Sequence, residues 1–556
     1  MSLRVSDRRI RVLIAVFALL LALALTRAVW LQAVHSTSLD AQADAQAQRT
    51  VLTEPRRGTI FDRNGRELAI GELRTTVIAN PREITDPEAV AELVAADLHL
   101  PEDEVLAQLS DQERGFVYVK RKADPVQAAR LEERGLAGIS FESEERRIYP
   151  QRAVASEVVG FAGLDNEGLE GVEAYYNELL SGEAGEETLL KDPYGRTIDV
   201  VSRDPVREGH DLYLTIDHRL QLKVERLIRR ARGYWKAQAV TAIVMNPANG
   251  SILAMAVEPG YDPAASVEVQ AEQRRNRAVT DTYEPGSTFK VVTVAAVLEE
   301  GMHKPSSTFT LAPEIDVSDR TIGEVENRGT EVMSVAEILA RSSNVGTITL
   351  ALNLGGRRLE SWIERFGFGR PTGIDYPGEV EGIVLPRSEW SGSTIGNVPI
   401  GQGLSVTPVQ MAALYSSIAN GGKLVKPRLV DRVDGRAVKA VKPQRERVAS
   451  TKTMGQLSRM LERVVSGGSG TRAQVEGYRV AGKTGTAAKV EPSGLYSTER
   501  YVASFVGFAP VEQPRLVVFV SVDEPRGEIF GGVVAAPLFA QITKAALTHL
   551  EIAPSR

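Results

Sequence analysis

The sequence contains no cysteine. That one absence excludes thiol catalysis, disulfide cross-links and cysteine-ligated metal sites together. Histidine is scarce, being confined to His35, His99, His210, His218, His303 and His549. No two of these are three to five residues apart, so the paired histidines of an HExxH zinc site are missing and no metal site is expected. A large charge of one sign is also lacking. The net charge is −6 over 556 residues, and no dense basic stripe crosses the chain, so nothing points to nucleic acid as a partner. Long apolar runs are absent beyond the N-terminus.

What remains is ordinary globular material, with 43% hydrophobic and 25% charged residues. The length calls for two or three domains. The single long apolar run is VLIAVFALLLALAL, from Val12 to Leu25. Counted from Ile10 to Leu31 it reaches bilayer length, about 20 residues. Arg11 and Arg27 then lie near the interfaces and snorkel, and Trp30 suits the interfacial belt. Arg4, Arg8, Arg9 and Arg11 precede the run against a single Asp7. The positive-inside rule predicts a cytoplasmic tail over 1–11, a transmembrane helix over 12–31 and everything later outside. A cleaved signal peptide is the rival. Its small-x-small pattern, Ala22-Leu23-Ala24, sits inside the apolar run rather than after it.

Residues 32–50 are polar and alanine-rich, which predicts a helical stalk. From 51 to 205 turn signals alternate with short β-rich runs. Two charged amphipathic stretches lie near 87–109 and 125–135. No catalytic constellation occurs there, so a non-catalytic extracytoplasmic domain is expected over 32–210. A new unit opens at 211. Leu212-Tyr213-Leu214-Thr215-Ile216 is strand-like, and Asp217 is an N-cap for RLQLKVERLIRRA. TAIVM and SILAMAV flank a five-residue turn as one hairpin. YVASFVGFA and RLVVFVSV flank a turn containing Pro514 as another. Strands at both ends with helices between them predict a mixed α/β domain over 211–556, an antiparallel sheet packed by helices.

Three short motifs carry chemistry. In Ser287-Thr288-Phe289-Lys290, after Pro285-Gly286, the buried helix VVTVAAVL follows a turn. Ser287 then sits at a helix start, where free N–H groups favour negative charge. Ser287 and Lys290, at i and i+3, share one face. A serine hydroxyl needs a base to become a nucleophile. A lysine serves only when burial and neighbouring positive charge depress its pKa. Taken singly, SxxK is a weak motif with frequent chance matches, and a capping serine with a solvated lysine is much the better reading of it. Ser342-Ser343-Asn344 follows a capping box, Ser334 to Glu337. Ser342 could relay a proton, and Asn344 could hold a peptide amide by both donor and acceptor. Lys483-Thr484-Gly485-Thr486 lies in a strand-like stretch with glycines either side of the lysine, a sign of close backbone approach. A lysine and two hydroxyls suit a carboxylate.

SxxK, SxN and KTG in this order form the motif set of penicillin-binding proteins and serine β-lactamases. The chain resembles the class B penicillin-binding proteins, and within them the cell-division transpeptidases of the FtsI type. Arg57-Gly58-Thr59-Ile60-Phe61-Asp62-Arg63-Asn64-Gly65 is similar to the signature of the class's N-terminal pedestal. Gly168 to Glu173 with Tyr176, Leu214 to Asp217, Asn276 to Asp281, Gly401 to Pro408 and Gly482 to Ala487 add to the likeness. The resemblance implies a peptidoglycan D,D-transpeptidase in which Ser287 attacks between the two terminal D-alanines of a stem peptide and Lys290 takes its proton. Backbone N–H groups of Ser287 and Thr486 would hold the oxyanion. Ser342 would pass a proton to the departing D-alanine, and Asn344 would orient the substrate amide. Lys483, Thr484 and Thr486, with Gly485 between them, would bind the terminal carboxylate, and Lys483 would help keep Lys290 neutral.

It also implies no metal or cofactor, β-lactams as covalent inhibitors, and a single-pass place in the bacterial inner membrane. The implied partners are a SEDS-type glycosyltransferase, FtsW-like, and bitopic divisome regulators. The lack of sensor repeats after the catalytic domain speaks against the sporulation-specific relatives. Related readings are an elongation-type transpeptidase, a carboxypeptidase, a β-lactamase or a scaffolding divisome protein. β-Lactamases usually lack the anchor and pedestal, and the intact motifs speak against a dead scaffold.

Overall fold

The computed structural model describes residues 3–33, 48–191, 197–326, 328–437 and 447–555. Most of the predicted stalk, 34–47, lies outside the described residues. The chain forms two compact units, residues 1–56 with 182–209, and residues 57–181 with 210–556.

The first unit holds the N-terminal helix, Leu3–Ala33. Its apolar stretch, Arg8–Gln32, is 25 residues long and exposed throughout. At 1.5 Å per residue that is roughly 37 Å, enough to cross a hydrocarbon core of about 30 Å. The predicted span over 12–31 lies inside it. A three-stranded antiparallel sheet completes the unit, with Gly185–Lys191 between Gln48–Thr53 and Thr197–Asp204.

In the second unit a five-stranded antiparallel sheet runs Ile252–Glu258, Ala239–Met245, Leu516–Asp523, Tyr496–Ala509, Ala481–Val490. Both predicted hairpins are adjacent pairs in it. The strands read as continuous apolar runs because both faces are covered. Val240, Ala242 and Val244 pack with Phe539 and Leu220, from the helices Gly531–His549 and His218–Trp235. Ile243 and Met245 alternate to the opposite face, toward the core of Phe289 and Val294. Asp217 caps its helix through the N–H groups of Arg219 and Leu220, as predicted.

A second sheet spans the position where the sequence changes texture. Leu212–Leu214 pairs parallel with Ile60–Phe61 on one side and antiparallel with Val430–Val433 on the other. The long strand Glu67–Ala79 continues this sheet to Val117–Ala123 and Ile139–Ile148. The amphipathic stretches near 87–109 and 125–135 are helices, Pro87–Leu98, Glu102–Leu109 and Pro125–Glu133. Ile60, Val158 and Val172 share one core with Leu212 and Phe289. The segments 57–181 and 210–556 are therefore one packed body.

Two sequence signatures meet inside it. The Arg57 Nε donates to Glu173 Oε2 at 2.7 Å, and Arg147 Nε donates to Glu173 Oε1 at 2.7 Å. All three side chains are buried. Arg57 Nη1 also donates to Asn166 O, Asn177 Oδ1 and Ser181 Oγ. Tyr176 Oη donates to Asp375 Oδ2 at 2.9 Å, and Asp375 accepts the N–H groups of Leu429 and Val430. A buried carboxylate between two guanidinium groups cannot be neutralised without leaving charge unpaired. Glu173→Gln is expected to lower the unfolding free energy by about 3–5 kcal/mol in a denaturant titration. A loss below about 1 kcal/mol, the worth of a surface pair, would contradict this reading.

Candidate active site

The turn at Pro285-Gly286 brings the first motif to the sheet. Gly286 has a φ of +55°, the left-handed region that glycine enters freely. A Cβ there would stand 2.8 Å from Thr486 O, so a larger residue would push the turn off the KTG strand. The chain continues as a 3-10 turn, Gly286–Phe289, and then the helix Lys290–Glu299. In a 3-10 turn residues i and i+3 eclipse, which puts Ser287 and Lys290 on one side. Thr288 Oγ1 donates to Pro285 O at 2.7 Å, and Tyr415 Oη donates to Thr288 O at 3.0 Å. Thr288, Phe289 and Lys290 are buried, while Ser287 remains half-exposed.

The second motif lies between two helices. Ser334 and Glu337 form the predicted capping box of Val335–Ala340. Ser343 caps Asn344–Leu354 through the Gly346 N–H at 2.9 Å. Between the helices Ser342 takes a φ of +59°, a conformation that costs a non-glycine residue about 1–3 kcal/mol. This places both its carbonyl and its hydroxyl against the lysines.

Lys290 Nζ donates to Ser342 O at 2.6 Å and to Asn344 Oδ1 at 2.7 Å, with Ser342 Oγ at 3.4 Å. Lys483 Nζ donates to Ser342 Oγ at 2.8 Å and to Thr484 Oγ1 at 3.2 Å. Both lysines are 0% exposed. Burial, and after it the positive charge of Lys483, hold the Lys290 ammonium well below the ordinary lysine range; Glu324 acts to raise it and Arg328 to lower it. Burial pushes Lys483 down to about 7. A neutral amine has two hydrogens and one lone pair. Ser342 O and Asn344 Oδ1 account for the two hydrogens of Lys290, which leaves the lone pair to accept a proton. Among the described residues Lys290 makes no hydrogen bond to the Ser287 hydroxyl.

The third motif occupies the edge strand Ala481–Val490. A Cβ on Gly485 would stand 2.3 Å from Ser504 Oγ and 2.9 Å from Pro285 O, whereas one on Gly482 would stand 2.5 Å from the Phe505 ring, so of the two glycines only Gly485 admits the Ser287 turn. The Thr484 hydroxyl is buried and lies 3.0 Å from Ser469 Oγ. It therefore supports Lys483 from within. Thr486 is half-exposed, and its Oγ1 accepts the Gly531 N–H at 3.0 Å. Gly531 opens the helix Gly531–His549, and a Cβ there would meet Gly485 O at 2.2 Å. The next residue is as tightly placed, since a Cβ on Gly532 would stand 2.6 Å from Ser469 O.

Three contributors carried no readable signal: Ser469, Glu324 and Arg328. Glu324 accepts the Asn344 N–H at 2.8 Å and the Ser343 hydroxyl. Each makes its contact across a loop, where no periodicity announces it. The described residues contain no group of three or more His, Cys, Asp or Glu side chains able to hold a metal ion.

The family model for the penicillin binding protein transpeptidase domain matches residues 240–544, and that for the penicillin-binding protein dimerisation domain matches 52–214. Stage V sporulation protein D of Bacillus subtilis is 37% identical, covering 96% of this chain and 84% of its own length. Peptidoglycan D,D-transpeptidase FtsI of Escherichia coli is 34% identical, covering 98% of this chain and 92% of its own. The crystal structure of penicillin binding protein 3 from Mycobacterium tuberculosis, complexed with aztreonam, aligns with a TM-score of 0.72 at 28% identity, covering 91% of this chain and 98% of that one. With the two matched domains in this order, and with relatives of this identity over nearly the full length, the chain belongs to the class B penicillin-binding proteins and is a serine-type D,D-transpeptidase.

Proposed function

We propose that this transpeptidase cross-links peptidoglycan through an acyl-enzyme on Ser287, chiefly at the division septum. The observation that carries the assignment is the burial of Lys290 and Lys483 around one serine hydroxyl, beside a half-exposed Ser287. Ser287 Oγ attacks the carbonyl between the terminal D-alanines of a stem peptide, and Lys290 takes its proton. The tetrahedral oxyanion lies against the backbone N–H groups of Ser287 and Thr486, where one such donor is worth about 3 kcal/mol. As the peptide bond breaks, Ser342 hands a proton to the D-alanine amine, resupplied from Lys290 or Lys483. Asn344 orients the substrate amide. Lys483, Thr484 and Thr486 bind the terminal carboxylate, with Thr484 acting through Lys483. An amine of a neighbouring stem peptide then attacks the ester, releases Ser287 and forms the cross-link.

β-Lactams occupy the same site because they mimic D-Ala-D-Ala, and they leave a long-lived acyl-serine. The basic residues before the apolar helix support a cytoplasmic N-terminus and a catalytic unit outside. The partners that fit are an FtsW-like SEDS glycosyltransferase and bitopic divisome regulators.

Identities of 37% and 34% do not separate sporulation from division. The segments Asn276 to Asp281 and Gly401 to Pro408 favour division over elongation. Gly401 packs directly on the Ser287 turn, since a Cβ there would meet Gly286 O at 2.1 Å.

A fluorescent penicillin is expected to label the wild-type chain covalently and Ser287→Ala not at all; undiminished labelling of the variant would overturn the nucleophile assignment. Depletion in the native host is expected to give filaments. Rounded cells would assign the protein to elongation, and normal vegetative growth with defective spores would assign it to sporulation.

A further inference from the structure

Behind the SxN motif lies an ion pair with no part in the mechanism above. Glu324 and Arg328 pair at 3.1 Å, with side chains 3% and 8% exposed. Glu324 spends its oxygens on the motif itself. Its Oε2 accepts the Asn344 N–H at 2.8 Å, and its Oε1 accepts the Ser343 hydroxyl. The Asn344 side chain is gripped from the same hairpin, since its Nδ2 donates to Gly323 O at 3.2 Å. The free end of that amide, Oδ1, is what Lys290 Nζ touches at 2.7 Å. Arg328 is satisfied along one edge. Its Nε and Nη1 are shut off from solvent and have no acceptor among the described residues. Among the described residues its charge is balanced by Glu324, in a largely buried setting.

We propose that Glu324 and Arg328 are a positioning pair for transpeptidation, holding Asn344 and Ser343 so that the Lys290 amine is fixed against the SxN motif. The proposal rests on the reading of Lys290 as the base. The charged groups bearing on Lys290 are Lys483 and Arg328, which disfavour its protonated form, and Glu324, which favours it. Removing either member of the pair should therefore move Lys290 in opposite directions.

The test is the pH dependence of the acylation rate constant with a chromogenic β-lactam, on the full-length chain in detergent. Acylation should rise with pH as Lys290 loses its proton. In Glu324→Gln the midpoint of that rise is expected to fall, and in Arg328→Met to climb, each by about half a pH unit or more. Glu324→Asp and Arg328→Lys keep the charges and should keep the wild-type midpoint, even where the plateau rate drops. Circular-dichroism melts identify a variant that fails to fold. If either neutral variant does so, the double variant Glu324→Gln, Arg328→Met replaces it, and its midpoint should return toward the wild type. Midpoints unchanged in folded variants, or shifted the same way in both, would overturn the proposal. Loss of acylation at every pH in Lys290→Ala, with Ser287 intact, tests the underlying reading separately, because it does not depend on either midpoint; undiminished acylation there would overturn that reading instead.

Discussion

Two lysines buried around a single serine hydroxyl are the constraint on which the rest depends. Lys290 and Lys483 both reach Ser342 Oγ, and neither is exposed. Two ammonium groups this close repel by a few kcal/mol even at an effective dielectric near 20, and each also loses its hydration. The cluster is tenable only if a proton is missing. Lys290 is the member pressed further toward neutrality, by its burial first and then by the charge of Lys483, with Glu324 opposing and Arg328 adding least. Stability is thereby given up to keep an amine basic at neutral pH, the condition for a lysine to activate a serine.

Such a cluster needs a rigid frame, and the fold supplies it at close range. The Ser287 turn is wedged between the edge strand and the Gly401 loop, at distances that leave no room for a Cβ on Gly286 or Gly401. Tyr415, buried beneath, holds the turn by its hydroxyl. The N-terminal segments are part of the same frame. Asp375 is held by Tyr176 and in turn fixes the N–H groups of Leu429 and Val430, next to the sheet that joins Ile60 to Leu212. The residues that read as signatures before the catalytic domain are thus packing and ion-pair residues.

How much was legible follows from the range of each interaction. The hairpins around Asn246 to Gly250 and Pro514 were readable, because turn chemistry and β-rich runs are local. So were the caps at Asp217 and Ser334. SxxK, SxN and KTG were legible as a set. Arg57 and Glu173 stood out as signatures, but nothing in the sequence says that they meet, since the contact is tertiary. The sheet across residues 212–214 was hidden for a similar reason. A three-residue strand pairing parallel with a two-residue one leaves almost no pattern. Glu324 and Arg328 look like loop charges until Asn344 is placed beside them. The motif alone pairs Ser287 with Lys290, whereas the structure spends the Lys290 hydrogens on Ser342 and Asn344.

The central claim is that the amine freed by this arrangement serves Ser287 and no other hydroxyl, although it is Ser342 whose hydroxyl both lysines reach. Mass-spectrometric mapping of the chain after reaction with benzylpenicillin tests it most directly. One penicilloyl adduct is expected, on the tryptic peptide from Ala278 to Lys290, localised by fragmentation to Ser287. An adduct on Ser342, or one spread over several serines, would contradict it.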